Sequence, residues 1–379
     1  MKKIVRIYTP IFLLLIFLWL VFQPNPFFRN AIIYTTADID DYKLFENRVV
    51  KAGQHQPWKI AEGFNQYNLR PDDITLLKKF QTTAYLIVKD TALLFEFYDG
   101  QFTDSTLSNS FSMAKSIVSL LIGIAIDEGK INSVNDPIHD YLPEFNPKNN
   151  NSITISHLLT MSSGLKWNES YYNPFSVTTK AYYGNNLKKL VLKTKSKEKP
   201  GVKFEYLTAN TQLLAIILEK VTQKTLSEYA SEKLWQPLGA KYDALWSLDQ
   251  KNGIEKAYCC FNSNARDFAR IGQLILNNGK WGNQQIISPD YLAKALTPAS
   301  YLIDDDEKPV DFYGFQWWIG QHNDSIFYYA RGILGQYIIA IPSENMVVVR
   351  LGHQRSRNRV NHHPEDIFDY IDLAIKISN

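Results

Sequence analysis

The sequence predicts an α/β protein of the α+β kind, with one antiparallel sheet built from strands near both ends of the chain. Apolar runs typical of strands occur within residues 84–98 and again within 313–352. The stretch between them, from about residue 112 to 218, carries mainly helical or loop-like patterns. The simplest arrangement is a sheet of N- and C-terminal strands flanked by helices, with an inserted helical region.

The first 28 residues have the features of an export or membrane segment. Lys2, Lys3 and Arg6 precede an uncharged apolar run over residues 7–22. Large residues follow where a cleavage site would need small ones, so we expect a retained signal anchor, forming a transmembrane segment. The positive start then places the bulk of the chain outside the cytoplasm.

After this segment, residues 29–75 are expected to form a linker and N-terminal extension, and residues 76–379 the main domain. A helix is predicted from Pro71, because proline suits a first helical turn and the acidic residues after it suit the helix dipole. The next segment predicts a hairpin, with strands over 84–89 and 93–98 and a turn at Asp90-Thr91.

The middle of the chain is expected to form a helical subdomain over about residues 112–260. An apolar helix is predicted to begin near Ser112 and to end at Gly129, and a second strong helix covers residues 209–224. Residues 166–200 are rich in Asn, Tyr, Lys and Ser, and predict surface loops. Beyond residue 312, three further strand segments and a closing amphipathic helix over 364–378 complete the pattern.

Composition excludes some classes of function. The net charge is only +3 and the basic residues are scattered, so no nucleic-acid partner is expected. The two cysteines, Cys259 and Cys260, are adjacent, a spacing that seldom forms a structural disulfide, and no Cys–His grouping has metal-ligand spacing. The sequence therefore predicts no disulfide framework and no metal.

The candidate chemistry centres on Ser112-Met113-Ala114-Lys115, at the start of the apolar helix. Residues three apart on a helix share a face, so Lys115 can reach Ser112. A serine hydroxyl becomes an effective nucleophile when a nearby base accepts its proton. The same spacing recurs at Ser196 and Lys199, but in a charged segment without an apolar helix. Context, rather than spacing alone, singles out Ser112.

Several segments taken together resemble the penicillin-recognising serine hydrolases, which include class C β-lactamases, D,D-peptidases and related esterases. They are, in chain order, "SMAKSIVSLLIGIAIDEGKI", "DPIHDYLPEF", "ITISHLLTMSSGL" and "PGVKFEYLTANTQLLAIILEKVT". The resemblance covers residues 83–352 and implies a β-lactamase/transpeptidase-like fold. It makes Ser112 the acylated nucleophile, Lys115 its partner base, and Tyr206 a proton relay.

The third motif of that superfamily is a cation, a small residue and glycine on an inner strand. The matching place here contains Ala330, Arg331 and Gly332. The resemblance implies an oxyanion hole made by the backbone N–H groups of Ser112 and Ile333. It also implies substrate contacts from a further set of positions, namely Thr208, Arg331, Gly332 and Gly335.

Two positions depart from the lactamase-like pattern. Thr208 replaces the asparagine of the second motif, and Ala330 replaces the cation of the third. These changes argue against an efficient β-lactamase or D,D-carboxypeptidase unless Arg331 compensates. Tyr-x-Thr with a G-x-x-G-Q third motif is instead similar to the aminohexanoate-oligomer hydrolases and their esterase-like relatives.

The sequence thus predicts a membrane-anchored serine hydrolase that cleaves a small or peptide-like ester or amide through an acyl-enzyme. It is expected to need neither a metal nor an organic cofactor. The implied location of the catalytic domain is extracytoplasmic, in a bacterial periplasm or at the cell surface. Two alternatives remain, a β-lactamase or peptidoglycan D,D-peptidase and a non-catalytic binding protein on the same scaffold.

Overall fold

The computed structural model describes residues 2–22, 27–34, 36–145, 152–171, 173 and 175–379. The helices in these ranges are α1 Lys2–Phe22, α2 Phe27–Ile33, α3 Pro71–Lys79, α4 Met113–Asp127, α5 Ile138–Tyr141, α6 Ile155–Leu159, α7 Val177–Tyr183, α8 Leu187–Leu192, α9 Thr208–Thr222, α10 Leu226–Ala230, α11 Ala265–Leu276, α12 Pro289–Ala295 and α13 Asp366–Ser378. The strands are β1 Asn47–Val50, β2 Lys59–Ile60, β3 Thr82–Lys89, β4 Ala92–Tyr98, β5 Ser108–Asn109, β6 Ala244–Ser247, β7 Phe261–Ser263, β8 Lys280–Trp281, β9 Gln284–Gln285, β10 Trp318–His322, β11 Ser325–Gly332, β12 Gln336–Ile341, β13 Met346–Gly352, β14 Arg359–Val360 and β15 His363–Pro364.

A seven-stranded sheet joins the two ends of the chain, as predicted. Its strand order is β10-β11-β12-β13-β3-β4-β2. Strand β13 lies antiparallel to β3, which pairs residues 346–352 with residues 82–89. The neighbouring strands are antiparallel except β2 and β4, which are parallel. The predicted fold class is confirmed, whereas the domain boundary at residue 76 and the subdomain over 112–260 stay predictions.

Helices cover both faces of the sheet. Side chains on one strand alternate between the faces, so that Leu86 and Val88 pack towards α4, α9 and α11, and Tyr85 and Ile87 towards α3 and α13. Helix α11 approaches closely at Gly272, where a Cβ atom would press against Val347. This packing places the strands against the helix that begins after Ser112.

The predicted hairpin and C-terminal strands are confirmed. Strands β3 and β4 are joined at Asp90 and Thr91, both of which have positive φ angles of 51° and 67°. This left-handed pair matches the twist of the strands it connects. The long C-terminal segment over 336–352 forms β12 and β13, with a tight turn at Pro342–Glu344 between them.

The prediction of surface loops over residues 166–200 is wrong in part, because this stretch contains α7 and α8. Ser176 caps α7 by accepting a hydrogen bond from the backbone N–H of Thr179. Tyr183, Leu187 and Val191 are buried. Each of these short helices buries only one apolar stripe, so the average composition of the segment remains polar and does not indicate a helix.

The expectation of unpaired cysteines is also wrong. Cys259 and Cys260 are joined by a disulfide bond. The backbone of Cys260 adopts a positive φ of 66°, a conformation that the sequence did not indicate. The bonded pair is buried and directly follows Tyr258, whose ring and backbone carbonyl lie beside the side chain of Lys115.

Helix α1 covers the apolar segment at the start of the chain and exposes side chains such as Phe12, Leu14 and Trp19. Within the part of the chain that the structure describes, no helix is both long enough and apolar enough to cross a membrane. The expected membrane anchor therefore finds no support in the fold and stays a prediction.

Candidate active site

Ser112 lies at a tight turn between a strand and the first buried helix. Strand β5 pairs with β7, and the chain then turns through Phe111, which has a positive φ of 43°. The side chain of Asn109 steadies this turn by accepting a hydrogen bond from the Phe111 N–H at 2.9 Å. Strained backbone of this kind is often found at functional sites. It places Ser112 at the N-terminus of α4, where the helix dipole favours negative charge.

Lys115 points back to Ser112 from the next turn of α4, as the spacing predicts. Its Nζ donates to Ser112 Oγ at 3.1 Å and to the backbone carbonyl of Tyr258 at 2.9 Å. The side chain is 1% exposed, and no carboxylate among the described residues lies within 4.0 Å of it. The lysine amine is thus held against the serine hydroxyl, out of bulk water.

Tyr206 completes a cluster with these two residues. The Lys115 Nζ lies 5.0 Å from the centroid of the Tyr206 ring. The ring packs against Trp318 and Tyr313, with centroid separations of 5.7 and 6.1 Å. Two aromatic neighbours, one at the start of β10 and one in the segment before it, therefore fix the tyrosine beside the Ser112–Lys115 pair.

Gly332 lets the end of β11 approach the nucleophile closely. A Cβ atom at this position would collide with the backbone carbonyl of Ser110. Ile333 follows at the start of a 3₁₀ turn that ends at Gly335. Ser112 lies directly before the first residue of α4, where N–H groups have no partner within the helix. The residue after Ile333, Leu334, has a positive φ of 61°. The oxyanion hole formed by the amides of Ser112 and Ile333 stays a prediction.

These residues surround a cavity of about 420 Å³. Five of the predicted site residues line it, namely Ser112, Tyr206, Arg331, Gly332 and Ile333. Arg331 therefore faces the cavity. The sequence alone did not decide the direction of this side chain. Two predicted substrate-binding residues, Thr208 and Gly335, are buried and do not line it.

Thr208 was expected to contact the substrate, but in the structure it contacts Glu169. Its hydroxyl and its backbone N–H both donate to the carboxylate of Glu169, the N–H at 2.8 Å. Tyr171 donates to the same carboxylate at 2.6 Å. Thr208 is the first residue of α9, so the carboxylate of Glu169 occupies the positive end of that helix. The contact ties the segment around residue 170 to the wall of the cavity.

Gly335 is a buried glycine at the end of the turn that begins with Ile333. It has a positive φ of 82°, and a Cβ atom would collide with the guanidinium of Arg350. Arg350 is fully buried and donates to the carbonyls of Leu334 and Gly335. This arginine therefore supports the 3₁₀ turn that carries Ile333.

The sequence did not single out several cavity residues, above all Glu169, Arg355 and Arg359. The only sequence signal for the arginines is their repetition at residues 355, 357 and 359. Glu169 lies in the segment expected to be a loop, with no motif around it. Within the described ranges, no group of three or more His, Cys, Asp or Glu side chains is placed to hold a metal ion.

Comparisons with known proteins identify the family of the chain. The family model described as Beta-lactamase matches residues 75–369. The 6-aminohexanoate-dimer hydrolase of Paenarthrobacter ureafaciens is 29% identical over 302 residues, which is 74% of this chain and 75% of that protein. Protein flp of Staphylococcus aureus strain MW2 is 28% identical over 144 residues, 37% of this chain and 28% of that protein.

Solved structures share the fold. A Bacillus anthracis protein, provisionally assigned as a 6-aminohexanoate-dimer hydrolase, superposes with a TM-score of 0.77 at 22% identity, covering 91% of this chain and 96% of its own. A family VIII carboxylesterase superposes with a TM-score of 0.63 at 16% identity, covering 83% and 99%. The chain belongs to the Beta-lactamase family and is a serine-type hydrolase.

Proposed function

We propose that the protein hydrolyses esters or amides through an acyl-enzyme on Ser112. The single observation that carries this proposal is the 3.1 Å contact between Lys115 Nζ and Ser112 Oγ at the edge of the cavity. A nucleophile within hydrogen-bond reach of a buried base is the arrangement that acyl transfer requires. The similarity to a 6-aminohexanoate-dimer hydrolase supports an amide or ester as the substrate.

In the proposed reaction, Ser112 Oγ attacks the substrate carbonyl and Lys115 accepts the hydroxyl proton. The amides of Ser112 and Ile333 hold the oxyanion of the tetrahedral intermediate. Tyr206 passes a proton to the leaving group as the carbonyl–heteroatom bond breaks. Water then attacks the acyl-enzyme, and its proton returns through the same groups as Ser112 is released.

Intact-protein mass spectrometry tests the nucleophile directly. A fluorophosphonate should add one phosphonyl group to the wild-type protein and none to Ser112→Ala. The Ser112→Ala variant should also lose about 10³-fold or more in kcat on an activated short-chain ester. The matched control is Ser196→Ala, which alters the second S-x-x-K sequence and should retain both labelling and turnover. Labelling of Ser112→Ala to the wild-type extent would remove Ser112 from the mechanism.

A β-lactamase or D,D-peptidase is the second candidate, and Arg331 is the observation that favours it. The arginine faces the cavity and so supplies a cation near the place where Ala330 lacks one. Incubation with a penicillin and a cephalosporin separates the two candidates. A lasting penicillin adduct or rapid cephalosporin hydrolysis, dependent on Ser112, would favour the peptidoglycan enzymes over an esterase or amidase.

We also propose that residues 1–28 hold the protein at a membrane, with the catalytic domain outside the cytoplasm. The support is the order of Lys2, Lys3 and Arg6 followed by the apolar run. Expression of the full chain in a bacterium, followed by fractionation and protease treatment of intact spheroplasts, tests this. The proposal predicts a membrane-bound protein that external protease degrades; a protein in the soluble cytoplasmic fraction would contradict it.

A further inference from the structure

The stretch of chain from residue 256 to 261 packs beside Lys115, and we call it the disulfide segment. Its cysteines, Cys259 and Cys260, are bonded to each other and are the only two in the chain. Both side chains are buried. Neither sulfur atom has a role in the acyl transfer proposed above, so the position of this bond beside the active site needs another explanation.

The disulfide segment supplies an acceptor that holds Lys115 in place. The Nζ of Lys115 donates to the carbonyl of Tyr258 at 2.9 Å and lies 5.6 Å from the centroid of the Tyr258 ring. Among the described residues, that carbonyl and Ser112 Oγ are the two hydrogen-bond acceptors of Nζ. When Oγ carries an acyl group, the Tyr258 carbonyl is therefore the acceptor that keeps Nζ beside it.

This carbonyl is joined directly to the bonded pair. It belongs to the peptide bond between Tyr258 and Cys259, so the orientation of that peptide group sets its direction. Beyond the pair, the Phe261 carbonyl accepts from the Ser110 N–H at 2.9 Å, and the Phe261 N–H donates to Ser110 Oγ at 3.2 Å. The segment is thus bonded to Lys115 at one end and to the turn before α4 at the other.

The disulfide holds a backbone conformation that an unbonded residue would avoid. Cys260 has a positive φ of 66°, a left-handed conformation that a residue with a Cβ atom adopts only at a cost in free energy. A bond between adjacent cysteines closes a small ring that contains the peptide bond between them, and the ring limits the rotations of both residues. Without the bond, Cys260 can leave the left-handed region, and the neighbouring peptide groups turn with it.

Other hydrogen bonds keep the segment attached to the fold. The carbonyl of Cys259 accepts from Trp246 Nε1 at 3.0 Å, and the carbonyl of Cys260 accepts from the Ser247 N–H at 3.0 Å. Both donors belong to β6. Loss of the disulfide is therefore expected to change the direction of the Tyr258 carbonyl without unfolding the site.

We propose that the disulfide is a positioning element of the active site: it sets the Tyr258 carbonyl, which holds Lys115 against Ser112. When a dithiol transfers two electrons to the pair, the S–S bond breaks, each Sγ takes up a proton, and the dithiol becomes a disulfide. The reduced enzyme turns over slowly, and a small disulfide such as oxidised glutathione reverses the transfer. This inference rests on the proposed hydrolase activity and adds a redox requirement to it, which suits an oxidising compartment.

A thiol count on the purified full-length protein tests the bond itself. The chain has only two cysteines, so the count is unambiguous. In denaturant, iodoacetamide should add no carbamidomethyl group to the oxidised protein and two groups after treatment with dithiothreitol, as measured by intact-protein mass spectrometry. Two alkylated cysteines in a fully active, untreated sample would overturn the inference.

Ester kinetics test the positioning role. Reduction of the wild-type protein, verified by the thiol count, should lower kcat on an activated short-chain ester about tenfold. KM should change little, because the disulfide segment lies outside the lining of the cavity. Oxidised glutathione should restore kcat after the dithiol is removed. The control is Cys259→Ala/Cys260→Ala, which should show the low kcat with or without dithiothreitol.

A glycine variant separates positioning from packing. Glycine adopts a positive φ readily, so Cys259→Ala/Cys260→Gly should have a kcat roughly threefold higher than the double-alanine variant. A packing role predicts the opposite order, because glycine leaves the larger void. Circular dichroism should show that both variants are folded. Wild-type kcat in the double-alanine variant, or a lower kcat with glycine than with alanine, would contradict the proposal.

Fluorophosphonate labelling separates this inference from the hydrolase proposal. The oxidised wild type should label at Ser112 faster than the double-alanine variant, by about the same factor as kcat. Equal labelling rates together with equal kcat would overturn the inference alone. Absence of Ser112 labelling in the oxidised wild type would overturn the hydrolase proposal and the inference that rests on it.

Discussion

At the scale of single residues, Gly332 controls how closely the end of β11 approaches the nucleophile. Gly332→Ala should lower kcat by about 10²–10³-fold, because the added methyl group collides with the Ser110 carbonyl and moves the Ile333 amide. Ester kinetics measure this, and circular dichroism should show that the variant is folded. Wild-type kcat in a folded Gly332→Ala protein would show that the proposed oxyanion amide does not need this close approach.

Lys256 is a second residue with a testable environment. It is fully buried, and its Nζ has no hydrogen-bond acceptor among the described residues and lies 3.1 Å from the centroid of the Phe45 ring. Desolvation holds the pKa of Lys256 well below its ordinary value. The Lys256 amine therefore binds a proton in the unfolded chain and releases it on folding. This difference favours the unfolded chain, and it becomes smaller as pH rises towards the ordinary lysine pKa.

Replacement of this lysine should stabilise the protein. Lys256→Met should raise the melting temperature at pH 7 by about 3 °C, since methionine fills the space without an unpaired buried amine. The gain should shrink as pH rises above 9. Thermal unfolding followed by circular dichroism measures it, with exposed Lys251→Met as the matched control. A lower melting temperature for Lys256→Met would mean that the ring contacts outweigh the cost of burial.

At the scale of elements, a pair of carboxyl groups links α9 to the segment before the disulfide. Glu255 Oε1 accepts hydrogen bonds from Arg48 and from the Ser227 N–H. Among the described residues, the buried Oε2 of Glu255 has no donor other than the carboxyl group of Glu219 in its protonated form. Burial, then the nearby Glu255 carboxylate, raises the pKa of Glu219 to about 8. At neutral pH the Glu219 carboxyl group therefore carries the proton that the two groups share.

This pair should make stability depend on pH. Below about pH 4.3, Glu219 is protonated in both the folded and the unfolded protein. Between that pH and about pH 8, Glu219 ionises only in the unfolded chain. The free energy of unfolding therefore falls as pH rises through this range. Glu219→Gln should remove that fall and raise the melting temperature at pH 8 by on the order of 5 °C, with little change at pH 4.

Melting curves from pH 4 to 9 check this prediction. Glu62→Gln, at an exposed position, is the control and should leave the profile unchanged. If the Glu219→Gln profile runs parallel to the wild-type profile, the two carboxyl groups do not share a proton in the folded protein.

At the scale of the whole molecule, Arg350 connects parts of the chain that are far apart in sequence. From β13 it donates to the carbonyls of Leu334, Gly335 and Gln354, to the carbonyl of Phe80, and to Thr82 Oγ1. It thus joins the end of α3 and the start of β3 to the turn that carries the proposed oxyanion amide. A lysine has three donors and cannot serve these five acceptors.

Arg350→Lys should therefore destabilise the protein by roughly 3 kcal/mol, because several buried acceptors lose their donors. It should also lower kcat more than it raises KM, since the turn at residues 333–335 loses its support. Urea unfolding and ester kinetics measure the two effects, with exposed Arg357→Lys as control. Wild-type stability in Arg350→Lys would show that water or neighbouring groups satisfy these carbonyls.

The sequence by itself determined the strands at both ends, the apolar helix after Ser112 and the Ser112–Lys115 pair. Each follows from a local rule, either the period of apolar residues or the three-residue spacing of a helix face. The turn at Asp90-Thr91 was also predictable, because short-range backbone preferences decide it. Resemblance across several ordered motifs then indicated Tyr206 and Gly332.

Only the tertiary structure decided which side chains meet across the cavity. The direction of Arg331 depends on stacking against Trp318, and Arg355 and Arg359 reach the same wall through a segment beyond β13. Thr208 meets Glu169, a residue 39 positions away, instead of facing the cavity. These contacts join residues distant in sequence, so no local pattern encodes them, and packing of the whole chain sets their geometry.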